Sequence, residues 1–246
     1  MPLRLFVPTA LDPDLEFALP DDAARHVQVR RLQPGDDVRL FDGRGGEWRA
    51  EILRMGKRDV QVRVGIHDPV DRELPVTLEI AVGMPANERM DALIEKATEL
   101  GVSLIQPLQT ERSVLRLDAE RAAKRVAHWQ AVAVGASEQC GRTRVPAIAP
   151  VRTLAAWLEN PGVDDCTCFV MSTRSAPRLA QLVVSTPAKR GRWLALSGPE
   201  GGLTLDEEAA AVARGFERAS LGTLILRADT APLVWLAQMG ALLPPC

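Results

Sequence analysis

Lysine, histidine and cysteine are scarce in this 246-residue sequence, and each shortage removes a kind of chemistry. The 4 cysteines (Cys140, Cys166, Cys168 and Cys246) supply one C-x-C pair and no second pair, and the 3 histidines (His26, His67 and His128) are scattered. That is not the spacing of a zinc site, so no metal is expected. No run approaches the roughly 18 unbroken apolar residues of a membrane span, and Met1-Pro2-Leu3-Arg4 opens no signal peptide, which makes the cytoplasm the expected location. A basic excess is missing too: 30 Lys and Arg stand against 32 Asp and Glu. Nucleic-acid binding usually leaves such an excess, so any RNA contact depends on where the positive charges sit. Only Lys57, Lys96, Lys124 and Lys189 are lysines, and the other basic residues are all arginine. Arginine offers planar, bidentate phosphate contacts, although a genomic bias toward its codons explains the same count.

What remains is ordinary for a soluble globular chain, 46% hydrophobic and 25% charged, enough for one large domain or two modest ones. No internal repeat or low-complexity tract appears. From Leu3 to about Ile66 the pattern is mostly alternating strands, with turns at Pro34-Gly35-Asp36 and at Asp42-Gly43-Arg44-Gly45-Gly46, which suggests a small β-barrel or meander. Arg25, His26, Arg30 and Arg31 form a basic cluster ahead of the first turn; they suit RNA, and a solvated helix face accounts for them equally. Asp68 to Pro75 is polar and aperiodic and reads as a linker. Beyond it, Val76 to Val82, Asp91 to Leu100 and Val102 to Leu108 alternate strand, helix and strand. The pattern returns through Cys168 to Met171, Leu179 to Val184 and Trp193 to Leu196, the signature of a parallel α/β sheet. A long helix is expected from Asp118 to Gln139.

The densest signal lies between Arg192 and Ala231. An apolar strand ends in Ser197-Gly198-Pro199-Glu200-Gly201-Gly202, Thr204 and Glu207 form a capping box that opens a helix, and Gly215 closes it. A second glycine-containing loop, Leu221 to Arg227, precedes another apolar helix. The two loops are expected to leave neighbouring strand ends. Glycines let backbone amides approach a ligand, yet the segment has neither a P-loop lysine nor G-x-G-x-x-G spacing, so phosphate is a poor fit. Leu221, Leu224 and Leu226 suit a flat apolar group such as adenine. An ordinary αβ turn explains the glycines as well. Arg112, just past a strand end, and Arg142 are the arginines expected near a substrate, with a surface ion pair as the alternative.

These stretches together resemble the RsmE family of bacterial 16S ribosomal RNA methyltransferases, which methylate N3 of uridine 1498. The likeness runs through Arg4-Leu5-Phe6-Val7, His26 to Arg31, Leu40 to Gly43, Glu88-Arg89-Met90-Asp91, Glu95 to Val102, Thr110-Glu111-Arg112-Ser113 and Glu138 to Arg142. It is most specific at Gly198 to Gly202 and from Leu221 to Ala231. The chain departs from the family pattern at Ala86, often lysine there, at Asp229, usually glutamate, and in a segment before Arg31 that is one residue shorter. The resemblance implies a PUA-like β-barrel at residues 1–70 and an α/β SPOUT-type trefoil-knot methyltransferase domain at 75–246. It implies S-adenosyl-L-methionine held by Met171, Leu196, Ser197, Gly198, Pro199, Glu200, Gly201, Gly202, Leu221, Gly222, Leu224, Leu226 and Arg227. Arg112, Arg142 and Glu200 become the catalytic candidates, and Arg4, Arg25, His26, Arg30, Arg31, Arg89 and Lys96 the RNA contacts. The implied partners are 16S rRNA in the small ribosomal subunit and a second copy of the chain, with no membrane or DNA partner. A SPOUT enzyme acting on ribose or transfer RNA, and a silent RNA-binding assembly factor, are the rival functions.

Overall fold

The computed structural model describes residues 2–57, 59–86, 89–163, 165–185 and 191–242; Glu88, Lys189 and Cys246 fall outside them. The chain divides into two units, one of Met1–Glu73 with Ser137–Val145 and one of Leu74–Ala136 with Pro146–Cys246.

In the first unit β1 (Arg4–Phe6), β2 (Glu16–Ala18), α1 (Asp21–Val29), β3 (Asp37–Phe41), β4 (Glu47–Met55) and β5 (Val60–Asp68) follow in order. The sheet runs β1-β3-β4-β5-β2, with β1 parallel to β3 and the other pairs antiparallel. Alternation decides which face is buried: Val60, Val62 and Val64 on β5 turn inward with Val38, Leu40, Ala50 and Ile52, as a period of two requires. Ala23, Ala24 and Val27 of α1 pack on the same core, and its one arginine, Arg25, stays outside.

One departure from the expected boundaries has a clear cause. Ser137–Val145, expected in the second domain, packs with the first unit. The buried Arg4 donates from Nη1 to the carbonyls of Ser137 (2.9 Å) and Glu138 (3.0 Å) and from Nη2 to that of Arg142 (2.8 Å). Its Nε pairs with Glu47 at 3.0 Å, and its guanidinium lies over the Phe41 ring, 4.9 Å from the centroid. Orphan carbonyls at a helix end need donors, and Arg4 provides three hydrogen bonds at once.

The second unit contains β6 (Thr77–Gly83), α2 (Arg89–Glu99), β7 (Val102–Gln109), α3 (Ala119–Cys140, whose last residues belong to the first unit), β8 (Ala147–Ile148) and β9 (Arg152–Thr153). It continues through α4 (Leu154–Glu159), β10 (Thr167–Met171), α5 (Leu179–Ser185), β11 (Arg192–Ser197), α6 (Leu205–Ala213), β12 (Glu217–Ala219) and α7 (Thr230–Leu242). All strand pairs are parallel, in the order β12-β10-β11-β6-β7-β8, with β9 also on β7. Near-continuous apolar runs such as Trp193-Leu194-Ala195-Leu196, all buried, are what a sheet covered on both faces demands. The strand order corrects one expectation. β11 and β12, which carry the two glycine loops, are not neighbours; β10 hydrogen-bonds to both and lies between them.

Candidate active site

In a parallel sheet the carboxyl ends of the strands open on one edge, and here that edge holds a cavity of about 820 Å³. Three loops build most of it: Met171 to Ser175 after β10, Ser197 to Leu203 after β11, and Ser220 to Ala228 after β12, with Arg89 and Arg112 completing the rim. The segments after β10 and β12 are tied to each other by main-chain bonds. The Ser172 amide donates to the Ala219 carbonyl (2.9 Å), the Ser220 amide to Pro177 (2.8 Å) and the Leu179 amide to Ser220 (2.9 Å).

The β11 loop is closely packed. A Cβ on Gly198 would stand 2.7 Å from the Leu203 amide nitrogen, and Gly202 holds φ +68°, so both positions need glycine for physical reasons. A Cβ on Gly83, at the end of β6, would meet the Pro199 ring at 2.6 Å, so that side of the loop is closed as well. The expected capping box is present: Thr204 Oγ1 accepts from the Glu207 amide (3.2 Å) and Glu207 Oε2 from the Thr204 amide (2.9 Å). The other oxygen of Glu207 accepts the Glu111 amide at 2.7 Å, which brings the β7 loop, and Arg112 with it, to this helix start.

Arg112 donates from Nη1 to the Gly201 carbonyl at 2.9 Å. Glu200 Oε1 accepts the Ala86 amide (3.0 Å) and Arg89 Nη1 (3.3 Å), the arrangement of a tether between loops. The Ser197 hydroxyl, 3% exposed and lining the cavity, has no hydrogen-bond partner among the described residues. Buried polar atoms in folded chains nearly always have partners, so this one fits a site that a ligand completes.

Most of the expected cofactor residues line the cavity: Met171, Ser197 to Gly202, Leu221, Gly222, Leu224, Leu226 and Arg227. Leu196 does not. Alternation turns its side chain into the apolar core with Leu194 and Val170, where it is fully buried. Arg142 is also absent from the lining. It is buried in the first unit, where Nε and Nη2 grip both oxygens of Glu73 at 2.5–3.1 Å. Arg4, expected on RNA, is buried and committed to Glu47 and three carbonyls.

Arg25, Arg30 and Arg31 are exposed; His26 lies 3.5 Å from Glu138. Lys96 is exposed but carries Glu95 (2.7 Å) and Glu99 (2.8 Å), whose hydrogen bonds raise its pKa. Arg89 stands on the cavity rim. Missing from the sequence reading is a cluster in the cavity wall: Glu208 with Ser172, Arg174 and Arg218. Three acidic residues in a row, Asp206 to Glu208, look like a helix-start preference, and nothing in the pattern marks the third as buried.

A parallel α/β sheet whose last three loops enclose one cavity, in a chain with a small mixed β-sheet domain ahead of it, is the architecture of a SPOUT-type RNA methyltransferase. Residues 72–240 match the RNA methyltransferase domain family, and residues 19–65 match the RNA methyltransferase PUA domain. Ribosomal RNA small subunit methyltransferase E of Synechocystis is 36% identical over 217 residues, spanning 88% of this chain and 69% of its own. That of Bacillus subtilis is 31% identical over 227 residues, spanning 91% and 89%. The crystal structure of the Neisseria gonorrhoeae enzyme bound to S-adenosyl methionine superposes with a TM-score of 0.91 at 35% identity, covering 98% of both chains. A putative methyltransferase from Legionella pneumophila, in complex with the same cofactor, gives 0.91 at 30%, again over 98% of both. The chain belongs to the ribosomal RNA small subunit methyltransferase E family.

Proposed function

We propose that this chain transfers a methyl group from S-adenosyl-L-methionine to N3 of uridine 1498 in 16S ribosomal RNA. The observation that carries the reading is the three-loop cavity, lined by glycines and by an unpartnered buried hydroxyl, Ser197 Oγ. Its volume suits an adenosyl amino acid, since sites for small ligands span about 300–1,000 Å³. Met171, Leu221, Leu224 and Leu226 offer an apolar face to adenine, and the loop amides and Ser197 supply polar contacts.

When bound, the cofactor supplies an electrophilic methyl group on a positively charged sulfur. Uracil N3 has to give up its weakly acidic imide proton, which passes to solvent water, as it takes the methyl group and the methyl–sulfur bond breaks. Arg112, held by the Gly201 carbonyl, is placed to stabilise the negative charge that develops on the uracil carbonyl oxygens. Glu200 keeps its loop in place through Ala86 and Arg89. Positioning is the larger contribution, on the order of 7–11 kcal/mol, against the hundred- to ten-thousandfold of about one acid or base. The target base has to leave its stack to reach the cavity.

The net charge of −2 does not oppose this reading, because the cavity rim concentrates positive charge: Arg89, Arg112, Arg174 and Arg227 line it against Glu200 and Glu208. In residues 1–70, the proposed RNA-binding domain, the exposed Arg25, Arg30 and Arg31 hold no ion pair among the described residues and are free for phosphates. Val114 and Ile225 are 74% and 83% exposed, and such apolar surface supports a homodimer. A cytoplasmic location accords with a ribosomal substrate. The test is to incubate the protein with labelled cofactor and small subunits lacking the modification, then map the label. N3-methyluridine at that nucleotide is expected; label on a ribose or only on transfer RNA would overturn the assignment.

A further inference from the structure

We propose that Arg174, anchored by Glu208, forms an anion-binding subsite in the cavity wall that takes a carboxylate or a phosphodiester oxygen; the inference rests on the cavity being the methyl-donor site. Glu208 is 3% exposed and lies in the first turn of α6, whose capping is already supplied by Thr204 and Glu207. Its side chain is therefore not needed as a cap and turns inward. Oε1 accepts from Ser172 Oγ (3.1 Å) and from Arg218 Nε (2.5 Å), and Oε2 accepts from Arg174 Nη1. A single carboxylate facing two guanidiniums leaves one positive charge unbalanced at this wall.

Arg174 is the member of the cluster that can present that charge to a ligand. It lines the cavity, and its side chain stays 42% exposed although its carboxylate partner is buried. One of its five N–H donors holds Glu208, and the rest of the planar fork is available. Its backbone is fixed too, the amide donating to Ser172 Oγ at 3.2 Å. The head group is thus oriented before any ligand arrives, which reduces the entropy lost on binding. Arg89 and Arg112, on the same rim, make one hydrogen bond each, to Glu200 and the Gly201 carbonyl, and Arg227 also lines the cavity; Arg174 differs in that its partner carboxylate is buried and shared with a second guanidinium. A planar guanidinium with spare donors is matched by carboxylate or phosphate oxygens. The amino-acid end of the cofactor and the RNA backbone are the two sources of such an anion.

The experiment compares the full chain with its Arg174→Met variant, titrating each with S-adenosylhomocysteine, which has the amino-acid carboxylate, and with 5′-methylthioadenosine, which lacks it. If the anion is the carboxylate, the variant binds the first compound about ten- to a hundredfold more weakly and the second unchanged. If it is an RNA phosphate, both compounds bind as before, KM for small-subunit RNA rises about tenfold at constant kcat, and the log–log salt slope falls by about 1. Glu208→Gln is expected to reproduce whichever selective loss occurs and to add little in the double variant. Equal weakening of both nucleosides, or no change in any of these readouts, overturns the subsite, as does full additivity of the two substitutions. Failure of the parent chain to bind S-adenosylhomocysteine removes the cavity's reading itself, an outcome distinct from failure of the variant comparison.

Discussion

The same side chain does opposite work in the two units. In the first, Arg4 and Arg142 are buried, their donors engaged by Glu47, Glu73 and the carbonyls of residues 137, 138 and 142. In the second, Arg112 and Arg174 are held at one point each and remain partly exposed on a cavity. A buried guanidinium with most of its donors engaged serves as a structural part, and the recognition role proposed above falls to those with donors to spare. Burial and hydrogen-bond completeness separate the two roles, and residue type does not.

Substitution at Arg4 tests this most severely. Arg4→Ala strips Glu47 of its buried partner and leaves three carbonyls without their donor, so a loss of about 3–5 kcal/mol in a urea titration is expected. RNA affinity per folded molecule should not change. Next comes Gly198→Ala, whose new Cβ would press on the main chain of Gly202 and Leu203 at 2.7–3.0 Å. Strain of about 1–3 kcal/mol at the cavity wall should weaken S-adenosylmethionine binding in calorimetry by roughly tenfold or more while most of the fold's stability is kept. Arg112→Ala removes one charge-assisted bond to the Gly201 carbonyl, and a fall in kcat of about tenfold to a hundredfold is expected, with cofactor affinity less affected.

Smaller effects sharpen the contrast. Burial raises the pKa of Glu138 against the opposing pull of the Phe6 amide, His26 and Arg4. A carboxyl raised in the folded chain contributes stability that is complete below its ordinary value of 4.5 and is lost as the pH climbs through the raised value. Glu138→Gln has no such loss, so the variant should match the parent in acid and be modestly more stable at neutral pH in thermal melts. Lys96→Ala should move stability by no more than about 0.5 kcal/mol, because exposed pairs such as those with Glu95 and Glu99 are weak.

Much of this architecture was legible in the sequence because local rules decide it. The capping box at Thr204, the turn at Gly198 to Gly202 and the buried strand from Trp193 to Leu196 each follow from neighbouring residues. What stayed hidden is long-range. The insertion of β10 between β11 and β12 depends on pairing partners far apart in the chain. The contact of Arg4 with Ser137–Val145 spans more than 130 residues, and the burial of Arg4, expected on RNA, and of Arg142, expected to be catalytic, follows from it and from Glu73. Glu208 was invisible for a third reason: adjacent acidic residues on a helix differ in burial only once the packing is known.

The central claim is that the loops after β10, β11 and β12 hold the methyl donor. Ultraviolet irradiation of the protein with S-adenosylmethionine radiolabelled in its methyl group, followed by peptide mapping, tests it directly. The account predicts label within residues 171–175, 197–203 or 220–228, competed away by S-adenosylhomocysteine. Competable label confined to residues 2–73, or none in any of the three loops, would contradict it.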